Sequence, residues 1–94
     1  MDQLKRIEAM EKKLNAAAEA VRALERALDE YAAAAADIRA LEAYLSSPER
    51  REDLAADENG LLPDALRRGV LSEDGIYDLL EDNDALRQRL REFK

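Results

Sequence analysis

Apolar residues recur along the first half of the chain at alternating gaps of three and four. Ile7, Met10, Leu14, Ala17, Val21, Leu24, Leu28, Tyr31, Ala35, Ile38 and Leu45 form the series, and Glu42 alone interrupts it. This spacing keeps one stripe on a single face of an α-helix, a stripe that has to lie against another helix. A helix is predicted from about Gln3 to Leu45, capped by Asp2, with a length of roughly 65 Å at 1.5 Å per residue. Charge pairs one turn apart support it: Glu8 with Lys12, and Arg22 with Glu19 or Glu25, opposed by Glu25 against Asp29. The run Ala32–Ala36 reads two ways, as bare surface that lets a neighbouring helix approach closely or as plain helix propensity on a solvated face.

Ser46-Ser47-Pro48-Glu49 closes this helix and opens a second. Proline favours the first helical turn, and Ser46 with Glu49 three residues on matches a capping box. The second helix is short, about 48–57, and Asn59-Gly60 suits a left-handed C-terminal cap. An ordered connection, 58–72, follows, with one helical turn expected from Pro63 to Arg67. Leu61, Leu62, Leu66, Val70 and Leu71 are too apolar for a loop in water and should pin it onto the first helix. Ser72 is the expected cap of a last helix, about 73–92. Glu73 and Asp74 sit at its positive end and Arg87, Arg89 and Arg91 at its negative end, as the helix dipole favours.

The last helix carries the seam Ile76, Leu79, Asn83, Leu86, Leu90 and Phe93. Asn83 there either fixes register from a buried position or lies half-exposed at the seam's edge. The fold class is therefore all-α: a long N-terminal heptad helix, a short middle helix and a C-terminal helix folded back as a coiled-coil-like hairpin, in one domain spanning 1–94. The last helix, at roughly 30 Å, covers about half of the first. An apolar strip is left over, and soluble proteins rarely expose one of that length. Self-association is its simplest cover, so a homodimer is expected, antiparallel, with Ile7, Leu14, Val21, Leu24, Leu28, Tyr31 and Ile38 as its seam. A helix from another protein is the competing cover.

Composition narrows the chemistry. The chain has 94 residues and four aromatic side chains, with no Trp, so its core rests on Leu, Ile, Val and Ala. The net charge of −7 is uneven: residues 1–45 carry nine acids and seven bases, and residues 46–94 carry thirteen and eight. Such a chain repels phosphate backbones, so direct nucleic-acid binding is not expected. With no cysteine and no histidine there is no disulfide, no thiol nucleophile, no Cys/His zinc site and no usual neutral-pH general base. No run of seven apolar residues marks a signal peptide or membrane span near the N-terminus, so no membrane contact is expected and a cytoplasmic location is the default.

The candidate sites are few. Asp78 and Asp82 with Glu81 and Asp84, and Glu52, Asp53, Asp57 and Glu58, are carboxylate groups that could hold Mg²⁺ or Ca²⁺, yet no window has the alternating ligands and central Gly of a calcium loop. They read first as solvated acidic faces, and no metal or other cofactor is expected. Arg67-Arg68-Gly69 is a basic spot inside the acidic half, able to grip a phosphate or carboxylate, or to offset Asp64 or the start of the last helix. Tyr77, between Asp74 and Asp78, either offers its hydroxyl to a ligand or packs its ring and reaches water. Ser46, Ser47 and Ser72 are caps with no base nearby, and no Gly-rich phosphate loop exists. No enzyme activity is expected.

The stretch Leu62-Pro63-Asp64-Ala65-Leu66-Arg67-Arg68-Gly69-Val70-Leu71-Ser72-Glu73-Asp74-Gly75-Ile76-Tyr77-Asp78-Leu79-Leu80 resembles the small bacterial proteins of domain of unknown function family 4298. Those also carry a proline-led connection, a basic pair before Gly-Val-Leu-Ser-Glu-Asp, and a following Tyr-Asp-Leu-Leu, after a long heptad-like helix. The resemblance covers nearly the whole chain and is most specific from Arg67 to Leu80. It implies a bacterial, helical, cytoplasmic protein with no assigned activity. A motif that recurs in a connection points to a specific contact, so Arg67, Arg68, Glu73, Asp74, Tyr77 and Asp78 are the expected partner-binding surface; alternatively Gly69–Asp74 is only a well-made loop and cap. The expected role is a small homodimeric adaptor that binds an unknown protein. The alternatives are an acidic decoy of a nucleic-acid enzyme and a carboxylate metal-binding protein.

Overall fold

A computed structural model describes residues 2–93. Among them are three α-helices, α1 (Gln3–Leu45), α2 (Pro48–Glu58) and α3 (Gly75–Glu92), and one 3₁₀ turn, Gly69–Leu71, with no strand. The fold is all-α, and α3 packs against the last turns of α1. The chain divides into two units, residues 1–35 and 36–94, and α1 runs through both.

In the first unit, residues 3–35 are helix. Asp2 caps it: its Oδ1 accepts a hydrogen bond from the Lys5 N–H at 2.9 Å, satisfying one of the donors a helix start leaves open. Every large apolar side chain from Leu4 to Leu28 is exposed.

The second unit holds the packed part of the molecule. Ile38, Leu41, Tyr44 and Leu45 at the end of α1 are half-buried. Leu41 thus takes the place that strict heptad counting gives to Glu42, and the stripe rotates by one residue where the pattern fails. On α3, Ile76 is 3 % exposed and is the one buried residue among those described. Leu80, Asn83 and Leu90 are half-buried, whereas Leu79, Leu86 and Phe93 of the expected seam are exposed. The inward stripe of α3 is therefore 76–80–83–90. Spacing alone could not choose between Leu79 and Leu80, because either follows Ile76 at a helical interval.

Three boundaries differ from expectation, each for a local reason. Pro48 occupies the first helical position of α2, so the cap is Ser47, not Ser46. The Ser47 Oγ accepts from the Arg50 N–H at 3.2 Å and donates to the Tyr44 carbonyl at 2.7 Å, joining the end of one helix to the start of the next. With Ser47 as cap, the third helical residue is Arg50, and no Glu completes a capping box. Pro63–Leu66 is a turn closed by the Leu66 N–H on the Pro63 carbonyl at 3.1 Å, and the helical turn of the connection lies later, at Gly69–Leu71. The third difference is at α3, which begins at Gly75 rather than Glu73.

The end of α2 follows expectation more closely. Gly60 has φ +68°, and the Leu61 N–H bonds the Ala56 carbonyl at 2.9 Å while the Gly60 N–H bonds that of Asp57 at 3.1 Å. These are the paired bonds of a Schellman cap. Beyond it, Leu62 and Leu71 are half-buried, whereas Leu61, Leu66 and Val70 are exposed.

A hydroxyl–carboxylate bond also ties α1 to α2. The Tyr44 hydroxyl donates to Asp53 Oδ2 at 2.5 Å. That bond, then desolvation and the Asp53 charge, raises the Tyr44 pKa above its ordinary 10.0, against the lowering field of Arg50. A raised folded-state pKa means that the unfolded chain loses this proton first. The contribution to stability is complete below pH 10 and fades as pH rises through the folded value. Urea unfolding should show the stability gap between wild type and Tyr44→Phe narrowing as pH climbs past that point; a gap independent of pH would mean that the bond does not persist in solution.

Candidate interaction surfaces

The segment from Arg67 to Asp78 is built around a hydroxyl clamp. The Ser72 Oγ donates to the Gly69 carbonyl at 2.7 Å and accepts from the Gly75 N–H at 3.0 Å, so one side chain closes the 3₁₀ turn and caps α3. Asp74, the residue directly before α3, makes no side-chain cap bond. A Cβ on Gly75 would lie 2.4 Å from the Gly69 carbonyl oxygen and 2.6 Å from the Ser72 Oγ. Only glycine fits at that closest approach. The Arg50 guanidinium, from α2, reaches the Val70 and Ser72 carbonyls at 3.4 Å each.

The two arginines of the motif have different jobs. Arg68 is spent inside the fold: NH1 pairs with Asp57 Oδ1 at 2.8 Å, and NH2 donates to the Pro63 carbonyl at 2.9 Å. Its partner is thus Asp57, at the end of α2, rather than Asp64 or the first turn of α3. The planar fork suits this double grip between the helix and the connection. Arg67 is exposed and lines an open, mostly apolar pocket of about 390 Å³ with Leu41, Val70, Ile76 and Leu79. That pocket brings Arg67 to the first turns of α3.

Glu73, Asp74, Tyr77 and Asp78 are all exposed, Tyr77 at 59 %. Of the six residues expected to meet a partner, five are therefore available and Arg68 is engaged. Of the seam residues, Ile7, Leu14, Val21, Leu24 and Leu28 are between 43 % and 67 % exposed, while Tyr31 and Ile38 are half-buried. Sequence reasoning missed the Ser72 clamp, the reach of Arg50 and the place of Leu41. The clamp had a legible signal in Gly69-Val70-Leu71-Ser72-Glu73-Asp74-Gly75, two glycines flanking a serine three residues from each.

The carboxylate groups do not converge: among the described residues no three acids are placed to hold a metal ion. No helix of the described residues is long and apolar enough to cross a membrane. The family described as domain of unknown function, DUF4298, matches residues 7–93. The chain belongs to the DUF4298 family. That match takes in both the exposed stripe of α1 and the Ser72 clamp. No curated protein and no solved structure matches the chain.

Proposed function

We propose that this DUF4298 protein is a non-catalytic interaction module of the cytoplasm: a homodimer, assembled through the heptad face of α1, that presents the surface around Arg67 and α3 to a partner protein. One observation carries the reading. Residues 3–35 are a single helix within one unit, and its apolar stripe is uncovered in a single copy. Helices in proteins draw most of their stability from packing an amphipathic face, and this stretch has nothing of its own to pack on.

The size of the stripe suits a second copy. Leu4, Ile7, Met10, Leu14, Val21, Leu24 and Leu28 are seven exposed large apolar side chains. At 1.5–3 kcal/mol each and ~25 cal/mol per Å², they offer roughly 60–120 Å² apiece. Discounted for their 43–72 % exposure, they supply on the order of 250–500 Å², a substantial share of the ~800 Å² per partner of a specific interface.

Light scattering across a wide concentration range tests the assembly, with the dimer mass expected throughout; a monomer at every concentration overturns it. The partner surface has a separate test. Arg67→Ala with Asp78→Ala should leave the helical circular dichroism and dimer mass intact, since neither side chain bonds within the fold, and should abolish capture of the partner from lysate. Capture unchanged by the pair would remove that surface from the reading.

A further inference from the structure

The exposed stripe also carries information about how two copies would meet. Because α1 is unbroken from Gln3 to Leu45, heptad positions assigned at Ile7 hold through Leu28. Ile7, Leu14, Val21 and Leu28 take the a positions, and Met10, Ala17 and Leu24 the d positions. The flanking e positions are then Leu4, Glu11, Ala18 and Glu25, and the g positions Arg6, Lys13, Ala20 and Ala27. We infer that the second copy lies parallel and in register, each residue of the stripe facing its own counterpart. This rests on the homodimer reading and reverses the antiparallel arrangement that the stripe alone suggests.

A charge pair favours the parallel pairing. In a parallel coiled coil a g residue meets the e residue five positions later on the other helix, and such pairs set orientation. Arg6 then meets Glu11 of the second copy, and the two-fold axis makes the contact twice. Among the described residues of one copy neither the Arg6 nor the Glu11 side chain makes a hydrogen bond or ion pair, so both are available. Within a parallel coiled coil, β-branched residues at a, here Ile7 and Val21, with Leu at d, here Leu24, favour two strands over three.

The antiparallel alternative sets a against d, e against e and g against g. Of the antiparallel registers that overlap most of the exposed stripe, one pairs Met10 with Leu28 and Leu14 with Leu24, and it brings Glu11 beside Glu25, a like-charge contact made twice. Sliding by one heptad relieves that contact and drops Leu28 from the overlap. Neither of these registers gains an attractive pair from Arg6 or Lys13, which face alanines (Ala34 and Ala27, or Ala27 and Ala20).

The chain has no cysteine, so single introduced thiols report the arrangement cleanly. Met10→Cys and Leu24→Cys replace side chains exposed in a single copy, so neither should disturb the fold of that copy. Under mild oxidation, each variant alone should form a covalent dimer in high yield. An equimolar mixture of Met10→Cys and Leu28→Cys should give the two self-pairs in preference to the mixed pair. Mixed pairs with no self-pairing would establish the antiparallel register and overturn the inference, leaving the dimer standing. A monomeric mass for the reduced protein would instead remove the dimer itself. The charge pair has its own readout: Glu11→Lys should weaken the dimer roughly tenfold through two like-charge contacts, and adding Arg6→Glu should restore it. A double variant no tighter than Glu11→Lys alone counts against the Arg6–Glu11 contact and the parallel register with it.

Discussion

Gly75→Ala should lower the melting temperature of this protein by about 10 °C, more than any other glycine-to-alanine change in the chain. The added methyl would sit 2.4 Å from the Gly69 carbonyl oxygen and 2.6 Å from the Ser72 Oγ. The nearer atom belongs to the backbone, which cannot swing aside as a flexible side chain can. Overpacking of this kind costs ~1–3 kcal/mol, and the better helix propensity of alanine returns at most ~1 kcal/mol. The displaced Ser72 hydroxyl also loses one of its two bonds, worth another ~1 kcal/mol. A net loss of ~2 kcal/mol translates to ~8–16 °C for a domain of this size.

The other two glycines calibrate the result. Gly60 has φ +68° and open space around its Cα, so alanine there meets strain without a clash and should cost ~1 kcal/mol. Gly69 has neither, and alanine at that position should be neutral or slightly stabilising through the unfolded chain. Thermal melts of the three variants should therefore rank Gly69→Ala above Gly60→Ala above Gly75→Ala. A Gly75→Ala variant as stable as Gly69→Ala would show that the clamp gives way freely, and the tight approach at Ser72 would carry no weight.

This ranking shows where the sequence was readable and where it was not. Long-period information came through: a heptad over forty residues cannot be satisfied except by a helix with one apolar face, and α1 has the expected bounds. Caps were readable wherever a single residue type decides them, as at Asp2 and Gly60. They shifted by one or two residues where two candidates stood side by side. Between Ser46 and Ser47, Pro48 was the arbiter, because its ring must take the first helical position. At the start of α3, the sequence marks Ser72 as the cap of a helix beginning at Glu73. Its hydroxyl does take the Gly75 N–H, but Asp74 is the residue before the helix and the backbone from Ser72 to Asp74 lies outside it. The last seam failed for a subtler reason: helical spacing allows both Leu79 and Leu80 after Ile76, and only the packing of α3 selects one. Within the candidate surface, adjacency hid a division of labour. Arg67 and Arg68 are neighbours of like charge in sequence, and nothing local says that Asp57, eleven residues back, claims one of them.

If the proposed homodimer forms, Leu14→Glu should convert it to monomer at concentrations where wild type is associated. Leu14 is 61 % exposed in a single copy, so the substitution removes no contact within the subunit. In the dimer the same position is central to the stripe, and two-fold symmetry places the change on both sides of the seam. Each copy forfeits the ~1.5–3 kcal/mol that burying a leucine contributes, before counting the desolvation of two facing carboxylates. A loss of at least ~4 kcal/mol raises the dissociation constant by roughly a thousandfold. Asn15→Glu is the matched control. It adds the same side chain one residue along the same helix, at a position pointing away from the seam, and should leave the mass unchanged. Sedimentation equilibrium on the two variants separates the cases. If both dissociate, added negative charge is the cause rather than the apolar face. If neither does, the stripe of α1 is not what holds two copies together. If Leu14→Glu alone dissociates, and far-ultraviolet circular dichroism shows helix lost with it, then the association also sustains α1. That last result is the one expected on the proposed dimer, because the large apolar side chains of this stretch are exposed in a single copy.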